Sequence, residues 1–150
     1  MESEGRVETI ARGVCIKDGA ILLCYGKKGG VSYLPGGHIE FRETGRQALE
    51  REILEEMGLE SRAGRFLGCC EHSFLQKGEV HSEINLVFEL DIPGTSPAEG
   101  AEAKESWIGF RWIPLEKLAD SDFEPAVLKG LLSDWISHPG GHAEGGTLWL

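Results

Sequence analysis

The apolar positions of this chain change period several times, and each change predicts an element. Residues 7–16 alternate in part and read as a strand. Lys17-Asp18-Gly19 follows as a turn, and the continuous apolar run at residues 20–25 returns as a second strand, which makes a hairpin. Residues 31–34 predict a short strand. From Thr44 the period becomes helical: Leu49, Ile53 and Met57 recur every four residues, no proline interrupts the run, and Gly58 stands where a glycine ends a helix. Residues 62–75 and 80–92 predict two more strands joined around Lys77-Gly78, with His72 and His81 expected to face each other across that hairpin. Residues 93–104 are rich in Gly, Ala, Pro, Ser and Glu and read as a loop. A last strand is expected at residues 108–113, and a short helix from Pro114 to Leu118. An amphipathic helix follows at residues 123–137, with Val127, Leu128, Leu131, Leu132 and Trp135 turned inward. The periodicity predicts one α/β domain.

Composition narrows the partners. The chain has 150 residues, enough for one domain with a substantial core, and a formal net charge of −10. A nonspecific nucleic-acid or anionic-membrane binder is normally basic, so neither partner is expected. The four cysteines, Cys15, Cys24, Cys69 and Cys70, form no C-x-x-C pair and read as reduced thiols, with the last two on opposite faces of a strand. The start MESEGRVETI has neither a basic n-region nor an apolar h-region, and no apolar run spans a bilayer, so a cytoplasmic protein is expected.

The chemistry is concentrated in residues 37–59, GHIEFRETGRQALEREILEEMGL. Glu52, Glu55 and Glu56 stand at i, i+3 and i+4 of the predicted helix and share a face beside its apolar stripe. Like charges placed so closely repel, and a hard divalent cation offsets that naturally, because Mg²⁺ prefers carboxylate and carbonyl oxygens. On its own this pattern is most often a solvated acidic face. Glu43, Arg51 and the glycines in register with it overturn that reading. Glu43 and Arg51 are expected to pair and brace the loop against the helix. Pro35-Gly36-Gly37 forms a turn whose backbone can approach a ligand and offer a carbonyl.

The segment matches G-x5-E-x7-R-E-U-x-E-E-x-G-U (U, a bulky aliphatic) at every defined position, and the chain therefore resembles the Nudix hydrolases of the small MutT-like type. The resemblance is specific over residues 33–59 and weaker over roughly residues 7–131. It implies a Nudix-type α/β/α sandwich with a mixed sheet and a loop-helix-loop motif. It implies a pyrophosphohydrolase that needs Mg²⁺ or Mn²⁺ and cleaves a diphosphate linkage in a nucleoside-diphosphate-linked compound. Carried over position by position, Glu52, Glu55, Glu56 and the Gly36 carbonyl would hold metal, and Glu43 and Arg51 would brace the site. The catalytic carboxylates are expected among Glu52, Glu56 and, in the loop before the last strand, Glu105, with Glu99 and Glu102 as rivals. Glu52 is the first choice of base within the motif. A binding sensor that keeps the fold without catalysis is the alternative, but such proteins usually lose motif glutamates, and all four stand here.

Gly37, His38, Phe74 and Trp107 are the candidate substrate contacts, the two aromatics by stacking on a base. Signatures of ADP-ribose, dinucleoside polyphosphate, NADH and coenzyme A hydrolases are missing, which leaves a nucleoside triphosphate or a similar small nucleotide as the expected substrate. Residues 1–137 are taken as the domain. The glycine-rich residues 138–150, ending Thr-Leu-Trp-Leu, are expected to pack on it or on a neighbouring subunit, which leaves a homodimer open.

Overall fold

The computed structural model describes residues 5–138. The expected packing of the tail falls almost wholly outside these residues. Eight strands and two helices follow one another as β1 (Val7–Val14), β2 (Ile16–Lys17), β3 (Ala20–Gly26), β4 (Ser32–Tyr33), β5 (Gly36–His38), α1 (Gly45–Met57), β6 (Arg62–Gln76), β7 (Glu79–Asp91), β8 (Ile108–Pro114) and α2 (Val127–Ser137). Among the described residues no helix is long and apolar enough to cross a membrane.

The strands form two sheets. One runs β5-β1-β7-β6, with β1 and β7 parallel at its centre and antiparallel neighbours on either side. In the other, β3 pairs along its whole length with β8, while β2 takes the start of its opposite edge and β4 the end. That central position explains why residues 20–24 are apolar without alternation: both faces of β3 are buried. Leu22 and Cys24 join Ala11, Leu49, Ile53 and Phe88 in a core on the α1 side. Ile21 and Leu23 join Val14, Val87, Leu128 and Leu132 in a second core on the α2 side. The result is an α/β/α sandwich with a mixed sheet, as the resemblance implied.

Local chemistry sets the turns. Asp18 and Gly19 both have positive φ (48° and 73°), as do Lys77 and Gly78 (51° and 81°), the backbone that a two-residue hairpin requires. The second turn fixes the β6–β7 register so that Phe74, not His72, lies opposite His81, and His72 lies opposite Glu83. The expected facing of the two histidines is therefore corrected. Cys69 is exposed and Cys70 buried, on opposite faces of β6. The last helix begins later than the periodicity suggested. Phe123 belongs to an isolated bridge with Ser32, and the helix starts at Val127, after Pro125. Val127 is exposed, not inward; Leu128 and Leu132 carry the buried stripe, with Leu131 and Trp135 partly buried beside it.

Helix α1 is closed at both ends by its own sequence. Thr44 Oγ1 accepts from the Gln47 backbone N–H (3.2 Å), and the Gln47 side chain accepts from the Thr44 N–H (2.9 Å). Gly58, at φ 69°, ends the helix by donating to the Leu54 carbonyl. Thr44→Ala is expected to lower stability by about 1 kcal/mol, read by urea unfolding, because it strips a partner from the N-terminal turn.

Candidate active site

Strand β5 and helix α1 bring the motif together. Gly36 and Gly37 lie in β5, not in a free loop, paired with Arg12 and Ala11 of β1. Both positions require glycine. At Gly36 (φ 142°) a Cβ would lie 1.9 Å from the Ala11 carbonyl oxygen. At Gly37 it would lie 2.3 Å from Glu52 Cδ, so the β5 backbone rests directly on the Glu52 carboxyl group.

Arg51 stands at the centre of the acidic residues. Its Nε donates to Glu43 Oε1 (2.7 Å) and its Nη2 to Glu43 Oε2 (3.0 Å), a two-pronged pair. Nη1 donates to Glu52 (3.0 Å) and, more distantly, to Glu55 (3.3 Å), and Nη2 also reaches the His38 carbonyl (3.0 Å). One guanidinium thus ties the helix, the preceding loop and β5 together. The Arg51 hydrogen bonds hold the Glu43 carboxyl below the usual carboxylate range.

The three glutamates of α1 occupy different surroundings. Glu55 is the most exposed, Glu52 is largely covered, and Glu56 is 5% exposed. Burial raises the Glu52 carboxyl despite Arg51. Burial, with Glu52 next, pushes Glu56 up to about 8; Arg12 opposes this, while Glu105 and Glu55 add to it. Oxygen Oε2 of Glu56 is buried without a hydrogen-bond partner. Among the described residues no three His, Cys, Asp or Glu side chains already stand as a ligand cluster. The cationic partner that Glu52 and Glu55 have is Arg51. The donor set nevertheless fits a hard cation: carboxylates on one helix face, one of them buried with an orphaned oxygen.

The remaining candidates are distributed around this centre. Glu105 contributes to the field at Glu56 and accepts a hydrogen bond from Trp107 Nε1. Trp107 itself is exposed, just before β8. Phe74 lies on β6, at the opposite edge of the sheet that contains β5. His38 bonds Glu8 through Nε2 (2.9 Å). Glu99 bonds Ser96 (3.0 Å), within its own loop.

Arg12 is a residue that the motif did not reveal. Its Nε donates to Asn85 Oδ1 (3.2 Å) and its Nη1 to the Leu34 carbonyl (3.1 Å), and its guanidinium lies 5.1 Å from the centre of the Tyr33 ring. It bridges the two sheets and is the cation that opposes the rise at Glu56. The available signal was parity: Arg12 lies between Ile10 and Val14 on one face of β1, where a charge must find partners.

The fold and this acidic helix define a class. The sequence profile of the NUDIX domain matches residues 7–133, and the chain belongs to that family. Among known proteins it is similar to an ADP-ribose pyrophosphatase of Methanocaldococcus jannaschii, 37% identical over 97 residues. That match covers 63% of this chain and 56% of the relative, so the chain spans little more than half of the relative's length. Two solved structures share the fold. The MutT protein of Methanosarcina mazei Go1 matches with a TM-score of 0.66 and 21% identity over 93% of this chain and 99% of the other. The E. coli ORF135 protein matches with a TM-score of 0.64 and 23% identity over 93% and 95%.

Proposed function

We propose that this protein is a Nudix pyrophosphohydrolase, dependent on Mg²⁺ or Mn²⁺, that cleaves the diphosphate linkage of a small nucleotide. The observation that carries this reading is Glu56: a buried carboxylate with an unpartnered oxygen, beside Glu52 and Glu105, in a family whose chemistry acts on diphosphates. Burying such a group costs stability, which supports a functional role for it. Glu52, Glu55 and Glu56, with the Gly36 carbonyl, are the residues that would hold the cation. When bound, such an ion neutralises charge on the diphosphate oxygens and lowers the pKa of water.

The chain's own groups do the rest. Arg51, paired with Glu43, holds β5 against the helix through the His38 carbonyl, which supports a fixed setting of β5 relative to the carboxylates. Arg12, between the sheets, presents positive charge to a phosphate oxygen. Glu52 is the base of first choice. Its desolvation raises proton affinity, and Arg51 orients it for water placed in line with a phosphorus. Glu105 is the rival base. Gly37 and His38 contact phosphate, while Phe74 and Trp107 contact the base. Residues 1–137 make up the catalytic domain, in the cytoplasm.

The substrate class is a nucleoside-diphosphate-linked compound, with a nucleoside triphosphate as first choice by elimination. ADP-ribose is the second candidate, a reading supported by the name of the Methanocaldococcus jannaschii relative. Purified protein with Mg²⁺ or Mn²⁺ is expected to hydrolyse one of these selectively, with chromatography of the products locating the broken bond. Activity is expected to vanish in EDTA and to return with the ion. Bound metal without turnover of nucleoside triphosphates, ADP-ribose, dinucleoside polyphosphates or nucleotide sugars would favour a sensor.

A further inference from the structure

An apolar recess lies away from the carboxylates of α1. It holds about 400 Å³ and opens between the last turn of α2, the first residues of β6 and the junction of β1 with β2. Val14, Ile16, Leu67, Leu132, Trp135 and Ile136 supply its apolar lining. None of these side chains is among those placed in the active site. Val14 and Leu132 are buried and form the floor, whereas Leu67 and Trp135 are half-buried and Ile136 is exposed. Packing sets the wall on the α2 side: at Gly68 a Cβ would run into the Trp135 ring, so the ring rests directly on the β6 backbone.

The charges at the rim balance. Arg62 and Arg65 stand there with Glu89 and Asp91, and Arg65 already bonds Glu89 (2.9 Å). Such a rim gives a phosphate-bearing ligand no net attraction and suits an uncharged, apolar occupant. The sequence supplies one close by. Helix α2 ends at Ser137 with Trp135 and Ile136 on the recess, and residues 139–150 read PGGHAEGGTLWL. Their apolar bulk is gathered in Leu148, Trp149 and Leu150, none of them charged. Pro139, Gly140 and Gly141 are residue types that turn a chain back after a helix. The stretch from 139 to 147 spans at most about 30 Å, enough for the apolar three to reach a recess that begins at Trp135.

We propose that Leu148, Trp149 and Leu150 seat in this recess of their own chain and close it, with the Trp149 indole N–H donating to the rim carboxylates Glu89 or Asp91. This surface lies apart from the hydrolase site, and its occupant is independent of that reading. Tethering favours the chain's own segment over a second copy. A segment joined through so short a link meets the recess at an effective concentration on the order of 1 mM, above that of a second copy in dilute solution. Once seated, it removes Ile136 and the edge of Trp135 from water and covers an apolar patch that otherwise invites association.

The test follows methyl and indole signals of the full chain by NMR. Nuclear Overhauser contacts are expected from the Trp149 ring to methyl groups of Leu67, Leu132 or Ile136, with the indole signal assigned through Trp149→Phe. A mixture of isotope-labelled and unlabelled chains shows whether those contacts lie within one chain. Trp149→Ser is expected to shift the same methyl signals, to leave those of Leu49 and Ile53 on α1 in place, and to lower the melting temperature by about 3 °C. Trp149→Phe is expected to keep most of that stability, because a smaller ring still fills the recess. Contacts found only between labelled and unlabelled chains put a second copy in the recess and overturn the proposal. It is overturned equally if the Trp149 ring touches none of these methyl groups, or if Trp149→Ser leaves their signals unmoved.

Discussion

Glu56→Gln is expected to reduce turnover about 100-fold or more and, without metal, to make the protein more stable at pH 8. The two effects have one origin. The Glu56 carboxyl is raised to about 8 in the folded protein against an ordinary value of 4.5, chiefly by burial. Between those values the folded state holds a proton that the unfolded chain releases. Stability therefore falls as pH rises through this window, and the penalty is fully present once the folded group ionises. Unfolding of the metal-free protein followed from pH 5 to pH 8 is expected to show that decline, on the order of a few kcal/mol. Glutamine has nearly the same shape and no charge to bury, so the decline should flatten in the variant. Saturating Mg²⁺ should stabilise the natural protein at pH 8 and the variant much less. Activity retained within tenfold in Glu56→Gln would contradict the assignment, whatever its stability.

Arg51→Ala is expected to give the largest loss of stability of the substitutions considered. Glu43 loses both of its hydrogen bonds from the guanidinium, Glu52 and Glu55 lose their cation, and the His38 carbonyl loses a donor. Because Arg51 retains about a quarter of its side-chain exposure, solvent screens part of this loss, and about 2 kcal/mol is expected by urea unfolding. Arg51→Lys should recover little, since a point charge cannot form the two-pronged pair with Glu43. Turnover should fall more than tenfold in both variants, with kcat affected more than KM, as expected for a group that positions carboxylates without touching substrate. Unchanged stability together with unchanged turnover would remove the brace from the account.

What could be read in the sequence follows the range of the interactions involved. Helix α1 was legible because everything that defines it is local: Thr44 and Gln47 at one end, Gly58 at the other, and the Leu49–Ile53–Met57 stripe between. The pairing of Glu43 with Arg51 followed from register with that helix. Strand β5 was not legible. Two glycines and a histidine carry no period-2 signal, and pairing with β1 is what makes them a strand. The start of α2 was misread because Phe123 looks like the first residue of an apolar stripe, although it is buried in a bridge to Ser32. The Phe74–His81 pair was within reach: a two-residue turn at Lys77-Gly78 fixes the register, and counting outward from it places Phe74, not His72, opposite His81. Arg12 depended on partners at Leu34 and Asn85, separations that no local pattern encodes.

The parallel pairing of β1 with β7 has a consequence for synthesis. Gly37, which rests on Glu52, is held by β1, and β1 takes its central place only by pairing with residues 82–89. The capped helix and its glutamates leave the ribosome first, yet the strand that completes their surroundings is made later, and pairing of such distant segments is slow. A nascent chain arrested before β7 is thus a carrier of acidic residues with no cleft. Capacity to bind a cation at that helix should appear in one step once β7 has emerged.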